Sequence, residues 1–412
     1  MATTSVTGRV LYTGQGMCNT IEVYDGTTLT YLALIDFGSE KDSTNVRTLT
    51  LPKLIQTVKN RGKIDLMIVS HSDRDHWKFI PELLDGLPTT VKIAQAVFGI
   101  GDWTKDKATT FRAQVVGRME TGKSVTIITA AKTSIADTVK AWIKVPDGPT
   151  FNLLAGSVVE SDVVKGGSSV VETNTASLVI RCLYKGNYLV FLGDATRITL
   201  RYINDKMGGH SFSGTGFMMT APHHGALATL GGTLEDLKTL TEAVEPECAV
   251  ASAQFRVNFN HPNACVMATM CEYAGKNAYP KTGTHTCVVN FAETGLCTTN
   301  DIYKDLVKAK STSHISEWYV LNTDLNLFTT ISTTSSIVHW YFRMNTDGST
   351  EVSTEVAATG IEAMFREMAA QPAFDAESFF VGDIPAAFRS ATLEPTTASP
   401  RARAPRSPLP EG

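Results

Sequence analysis

His71-Ser72-Asp73-Arg74-Asp75-His76 follows directly on Ile64-Asp65-Leu66-Met67-Ile68-Val69-Ser70. The second stretch is an apolar run of strand length. The first sets His71, Asp73, Asp75 and His76 within one turn of chain at its end. Imidazole and carboxylate side chains in such a knot suit a divalent ion: zinc, manganese or iron. Two ions need more ligands than this knot holds, so the remainder must lie elsewhere in the chain.

Three further places offer them, each after an apolar β run. Asp194 closes Tyr188-Leu189-Val190-Phe191-Leu192-Gly193-Asp194. His223 and His224 follow Phe217-Met218-Met219-Thr220-Ala221-Pro222. His261 stands in Asn258-Phe259-Asn260-His261-Pro262, after a run that ends near residue 253. Strand ends on one edge of a sheet converge, and the loops there form a ligand-binding face. Taken alone, Asp194 reads as a turn or helix cap, and His261 as a cap ahead of Pro262. Taken in this order, with the adjacent pair His223-His224, the residues read as metal ligation. His261 would then stand beside the metals, holding a substrate oxygen or donating a proton to a leaving group. His210, His285, His314 and His339 have no such setting.

The 412 residues are 43% hydrophobic and 19% charged, with a formal net charge of -4. This is globular composition, and it excludes a bulk basic footprint for nucleic acid. Seven cysteines without a CxxC pair read as buried reduced thiols of a cytoplasmic protein. No stretch is apolar enough for a membrane helix, and no leader-like segment opens the chain. Residues 8–12, 18–24 and 31–36 predict a β-meander, and the spacing of Leu51, Leu54, Ile55 and Val58 predicts a helix over 51–60. Residues 90–165 read as β runs among scattered cations (Lys105, Lys107, Arg112, Arg118, Lys123 and Lys132). They form either a solvated surface or a flap facing a polyanion. Helices and strands then alternate to about residue 300, pointing to two mixed sheets with helices outside. Residues 318–321, 327–332 and 337–344 predict antiparallel strands, 356–370 a helix, and the Pro/Arg-rich end a disordered tail.

The order of these motifs resembles a metallo-β-lactamase-fold hydrolase, closest to the hydrolase domain of ComEC-type competence proteins and its soluble stand-alone relatives. The resemblance rests on Gly14-Gln15-Gly16, Ile35-Asp36-Phe37-Gly38, the 71–76 knot, Asn174-Thr175-Ala176-Ser177-Leu178-Val179, Leu192-Gly193-Asp194, Pro222-His223-His224-Gly225 and His261-Pro262. It implies a four-layer αββα sandwich over 7–300, followed by a β-rich and helical extension over 301–385 and a disordered tail over 386–412. It implies one or two divalent metals, with His71 and Asp73 on one, and Asp75, His76 and one of His223 and His224 on the other. Asp194 would bridge them, and Asp75 and His261 would take part in catalysis. Asp73 replaces a histidine usual in the fold and shifts the expected metal from zinc towards manganese. The usual third histidine before the bridging aspartate is missing. Asn174 stands near its place, as a substrate-side residue.

The activity implied is metal-dependent hydrolysis, of phosphodiester bonds and with nucleic acid as substrate by the ComEC-type likeness. The alternatives are a small ester, thioester or lactone, or a scaffold with a degenerate site. No membrane is expected as partner. A protein partner or a second copy could dock on the extension.

Overall fold

The computed structural model describes residues 4–40, 44–104, 106–133, 142–253, 260–274, 285–292, 296–315, 318–323, 325–333, 336–359 and 396–397. Two large mixed sheets face each other. The first runs, in spatial order, through Thr350–Thr359, Ser336–Asn345, Thr4–Val10, Cys18–Asp25, Thr28–Phe37, Leu66–Val69, Ala96–Phe98 and Val125–Ile127. The second runs through Leu327–Thr329, Cys248–Ala251, Thr215–Thr220, Asn187–Phe191, Val179–Tyr184, Thr150–Ala155 and Ile143–Lys144.

The side-chain period of two explains the layering. Ala33, Ile35, Leu66 and Ile68 point between the sheets, where they meet Phe151, Ile180, Leu189 and Phe217 of the second sheet. Their neighbours Leu32, Leu34, Met67 and Val69 point outward into a second core with Leu54, Val58, Phe79 and Phe111. Beyond the second sheet, Val190, Met219 and Ala249 pack on Leu200, Ile203, Leu240 and Met267 of the outer helices. Strands buried on both faces read as continuous apolar runs. That is why Ile64 to Val69 and Phe217 to Ala221 stand out in the sequence. The result is the expected αββα sandwich.

Four corrections to the sequence reading follow. Strands after residue 300 are no appendage: Ser336–Asn345 pairs antiparallel with Thr4–Val10, and Leu327–Thr329 pairs parallel with Cys248–Ala251. The boundary at 300 therefore separates no folding units among the described residues. The helix expected over 356–370 begins instead as strand to Thr359, because Val352 and Val356 belong to a ladder with Ser336–Asn345. Residues 360–370, the remainder of the expected extension and nearly all of the expected tail lie outside the described residues.

The third correction concerns 106–118, which is a helix. Phe111 and Val115 are its buried face, and Phe111 stacks on Trp77 with ring centroids 4.8 Å apart. Adjacent Thr109 and Thr110 hid that period by raising β propensity. Arg118 hydrogen-bonds the carbonyls of Leu84 and Pro88 at 2.5 and 2.6 Å, so it anchors the helix rather than facing a polyanion. Arg112, Lys123 and Lys132 remain on the surface, while the side chains of Lys105 and Lys107 lie outside the described residues. Finally, Cys265 and Cys297 form a disulfide, with Cα atoms 5.6 Å apart. Cys18, Cys182, Cys248, Cys271 and Cys287 are free and buried. Among the described residues no helix is long and apolar enough to cross a membrane.

Candidate metal centre

Every candidate ligand lies just past the C-terminal end of a parallel strand. Leu66–Val69 leads into His71, Asn187–Phe191 into Asp194, Thr215–Thr220 into His223 and His224, and Cys248–Ala251 towards His261. These ends converge where the two sheets meet. The loop after Leu66–Val69 is stitched to the other sheet by Leu178 N–H donating to the Ser70 carbonyl at 3.0 Å.

Backbone approach makes the cluster possible. A Cβ on Gly16 would lie 2.2 Å from the Gly38 carbonyl oxygen and 2.8 Å from that of Asp75. Met17 N–H in fact donates to the Asp75 carbonyl at 3.1 Å, and Gly38 N–H to that of Met17 at 3.0 Å. Both loops therefore press onto the turn that carries Asp75 and His76. His223 and His224 both adopt left-handed backbone, with φ of 43° and 57°. Non-glycine residues adopt this conformation uncommonly and at some cost. Here it turns both rings towards Asp194, with His223 N–H fastened to the Gly193 carbonyl at 3.0 Å.

Asp194 is the centre. Its Oδ1 lies 3.1 Å from His76 Nε2 and 3.7 Å from His224 Nε2. Its Oδ2 lies 3.8 Å from His71 Nε2 and 3.7 Å from His223 Nδ1. Asp75 Oδ2 adds a carboxylate on the first side, 3.4 Å from His224 Nε2, and Asp73 Oδ2 one on the second, 3.7 Å from His71 Nε2. The donor atoms of Asp75, His76, Asp194 and His224 all fall within 4.8 Å of one another. One carboxylate thus divides the cluster into two nests, each with two imidazoles and a second carboxylate.

The donor set fits divalent metal. His71 Nε2, His76 Nε2, His223 Nδ1 and Asp194 Oδ1 are all buried and make no hydrogen bond. Buried polar atoms left in this way are costly and need a partner. Four imidazoles and three carboxylates offer the nitrogen and oxygen donors that a divalent metal ion takes.

The opposite ring nitrogens are fixed. His76 Nδ1 lies 2.8 Å from Asp36 Oδ2, and His224 Nδ1 2.8 Å from the Ser252 carbonyl. His71 Nδ1 meets Ser70 Oγ at 3.0 Å, and that hydroxyl donates to Asp36 at 2.8 Å. Such outer contacts select the tautomer that frees Nε2 for metal. Neither Asp36 nor Ser252 was assigned a role from the sequence. Asp36 left a signal, since an acidic residue ending an apolar strand needs a reason. A backbone carbonyl leaves none. Asp36→Asn is expected to weaken metal binding about 10- to 100-fold while the fold persists. A metal titration with circular dichroism checks this, and unchanged affinity would remove Asp36 from the centre.

His261 is buried, its ring centroid 5.6 Å from that of His224 and 6.4 Å from that of His223, and its Nε2 lies 3.3 Å from Gln15 Nε2. It borders the cluster rather than joining either nest. Asn174 is set further back. Its carbonyl accepts from Ser177 N–H at 3.0 Å, and Ser177 Oγ in turn accepts from Asp194 N–H at 3.1 Å. Among the described residues no hydrogen bond joins the Asn174 side chain to the histidines.

Charge explains the protonation. Burial disfavours the His76 and His224 cations, but the carboxylates overcome it and raise both above the ordinary imidazole range: Asp194, Asp36 and Asp75 for His76, Asp194 and Asp75 for His224. Burial likewise opposes ionised Asp194, yet His223, His76 and His224 hold it well below the usual carboxylate range. For His223 burial wins over Asp194, and the ring is pushed down. In the metal-free protein the raised imidazoles contribute stability that is complete below about pH 6.5 and is lost as pH rises through their folded values. Metal must displace those protons. Metal binding is therefore expected to release protons at pH 7 and to tighten from pH 6 to 8. Calorimetry in buffers of different ionisation enthalpy measures this, and zero proton release would overturn the assignment of His76 and His224.

No protein-family model matches this chain, and no curated protein does. Solved structures similar to it include a variant of CmlA β-hydroxylase, at 11% identity over 60% of this chain and a TM-score of 0.34. This chain spans 46% of that one. The metallo-β-lactamase fold protein YhfI from Bacillus subtilis is 13% identical, over 54% of this chain and 71% of its own, with a TM-score of 0.30. Unliganded yeast PDE1 is 11% identical, over 67% of this chain and 95% of its own, with a TM-score of 0.37.

Proposed function

We propose that this protein is a metal-dependent hydrolase of phosphodiester bonds, resembling metallo-β-lactamase-fold enzymes. The observation that carries the reading is the Asp194 carboxylate, with one oxygen facing His76 and His224 and the other facing His71 and His223. A carboxylate so placed can hold two dications close together while offsetting part of their repulsion.

Asp75, His76, His224 and Asp194 would hold one metal, and His71, Asp73, His223 and Asp194 the other. In this reading His223 takes the part of the histidine that the sequence lacks near Asn174. Bound divalent metal supplies Lewis-acid charge for a phosphoryl oxygen and makes water acidic enough to ionise near neutral pH. The chain's own residues do the remainder. Asp36 and the Ser252 carbonyl keep the imidazoles aimed. The left-handed turn at His223 and His224 presets both rings before substrate arrives. His261, at the border, is positioned to pass a proton to the leaving group or hold a substrate oxygen.

Titration of the purified chain with Mn2+ and Zn2+, followed by hydrolysis of bis(p-nitrophenyl) phosphate, tests the reading. Two ions per chain with metal-dependent diester cleavage support it. Metal binding with cleavage of a thioester or lactone but not the diester would replace it with the ester-hydrolase alternative. Failure to bind metal would leave a scaffold.

A further inference from the structure

A cavity of about 980 Å³ opens beside the metal centre and shares Asp73 with it. Its apolar lining comes from Trp77, Ile100, Ala108 and Val171. Beneath it, Trp77 stacks on Phe111, Phe111 on Phe98 (5.4 Å, 10°), and Phe98 packs on Trp103 at 4.9 Å. Phe98, Phe111 and Trp103 are themselves buried, so this floor is supported from below. The loop before Ser177 adds Val171, 40% exposed, to the lining. That loop is held by its own hydrogen bonds. Ser168 N–H donates to Glu160 Oε2 at 3.0 Å, and Val170 N–H to Ser168 Oγ at 3.1 Å.

Among the described residues lining the cavity, Arg74 stands beside the carboxylates of Asp73 and Asp102. Beside these charged groups the lining is apolar at Trp77, Ile100, Ala108 and Val171, and the cavity reaches the candidate metal centre through Asp73.

We infer that the cavity binds an uncharged aryl or alkyl group of the substrate, whose single anionic phosphoryl group sits at the metal centre. The inference rests on the hydrolase reading and names its substrate class: a small phosphodiester with an apolar arm. Val171, at the rim, is then a specificity-determining residue.

The test is calorimetric binding of phenylphosphonate, methylphosphonate and oligothymidylate to the full chain loaded with Mn2+. Neither phosphonate is hydrolysed, so binding is read apart from turnover. Phenylphosphonate is expected to bind about tenfold tighter than methylphosphonate or better, the worth of burying one ring. Val171→Asp, at an exposed position, should erase that ratio. Val171→Leu should retain it. Equal affinities, failure of both phosphonates to bind, or tightest binding by oligothymidylate with steep salt dependence would each overturn the inference. A retained phenyl preference in a protein that cleaves no diester would uphold the groove and sink the hydrolase reading.

Discussion

Asp194→Ala is expected to abolish metal binding and to lower turnover about a thousandfold or more, because it removes a ligand from both nests at once. The fold should survive. Asp194 is buried among histidines, its backbone N–H is held by Ser177 Oγ, and no part of the three cores depends on its side chain. Removing the carboxylate also removes the largest of the charges that raise His76 and His224, and proton release on adding metal should vanish together with the binding. Mass spectrometry for metal, diester turnover and thermal melting on the same sample check the result. Retained metal and turnover would end the bridging assignment. Lost activity with a collapsed melting curve would make the residue structural.

The second large effect concerns a residue without a side chain. A Cβ on Gly38 would lie 2.4 Å from the Asp75 carbonyl carbon, 2.5 Å from His76 N and 2.6 Å from the Arg74 carbonyl oxygen. All three are backbone atoms, so no rotamer change relieves the clash. The ligand turn itself must move. Gly38→Ala is expected to destabilise the protein by about 3 kcal/mol and to impair metal binding by displacing Asp75 and His76. Gly117→Ala is the control. It lies in the Asp106–Arg118 helix with nothing within 4 Å of the new Cβ, so about 0.5–1 kcal/mol of stabilisation is expected. Urea unfolding with metal titration checks both. A Gly38→Ala protein with normal stability and affinity would show that the loop is compliant.

The candidate ligands were legible because each follows an apolar strand. Such strands are buried on both faces, and their periodicity survives in one dimension. The side of Asp194 that each histidine serves was not legible. Only the left-handed backbone at 223 and 224 sends adjacent rings to different carboxylate oxygens. Asp36 escaped notice as an orienting group because its partner His76 lies 40 residues away. The Cys265–Cys297 disulfide, spanning 32 residues without a motif, depended on a helix start meeting a loop in space. The strands after residue 300 looked like an appendage because their Thr-rich, aromatic texture differs from the Val/Ile-rich centre. Texture reports position in a sheet, edge or middle, and not which sheet.

The pairing of Ser336–Asn345 with Thr4–Val10 bears on how the chain reaches this state. Thr4–Val10 is an inner strand of its sheet, and one of its two neighbours follows more than 300 residues later in the chain. Until the two pair, a row of N–H and C=O groups stands open along Thr4–Val10, next to the apolar inner face of Val6 and Val10. The centre draws on loops from residue 36 to residue 252. Pairing over so long a sequence separation is slow to form, so the Thr4–Val10 edge is covered late in folding.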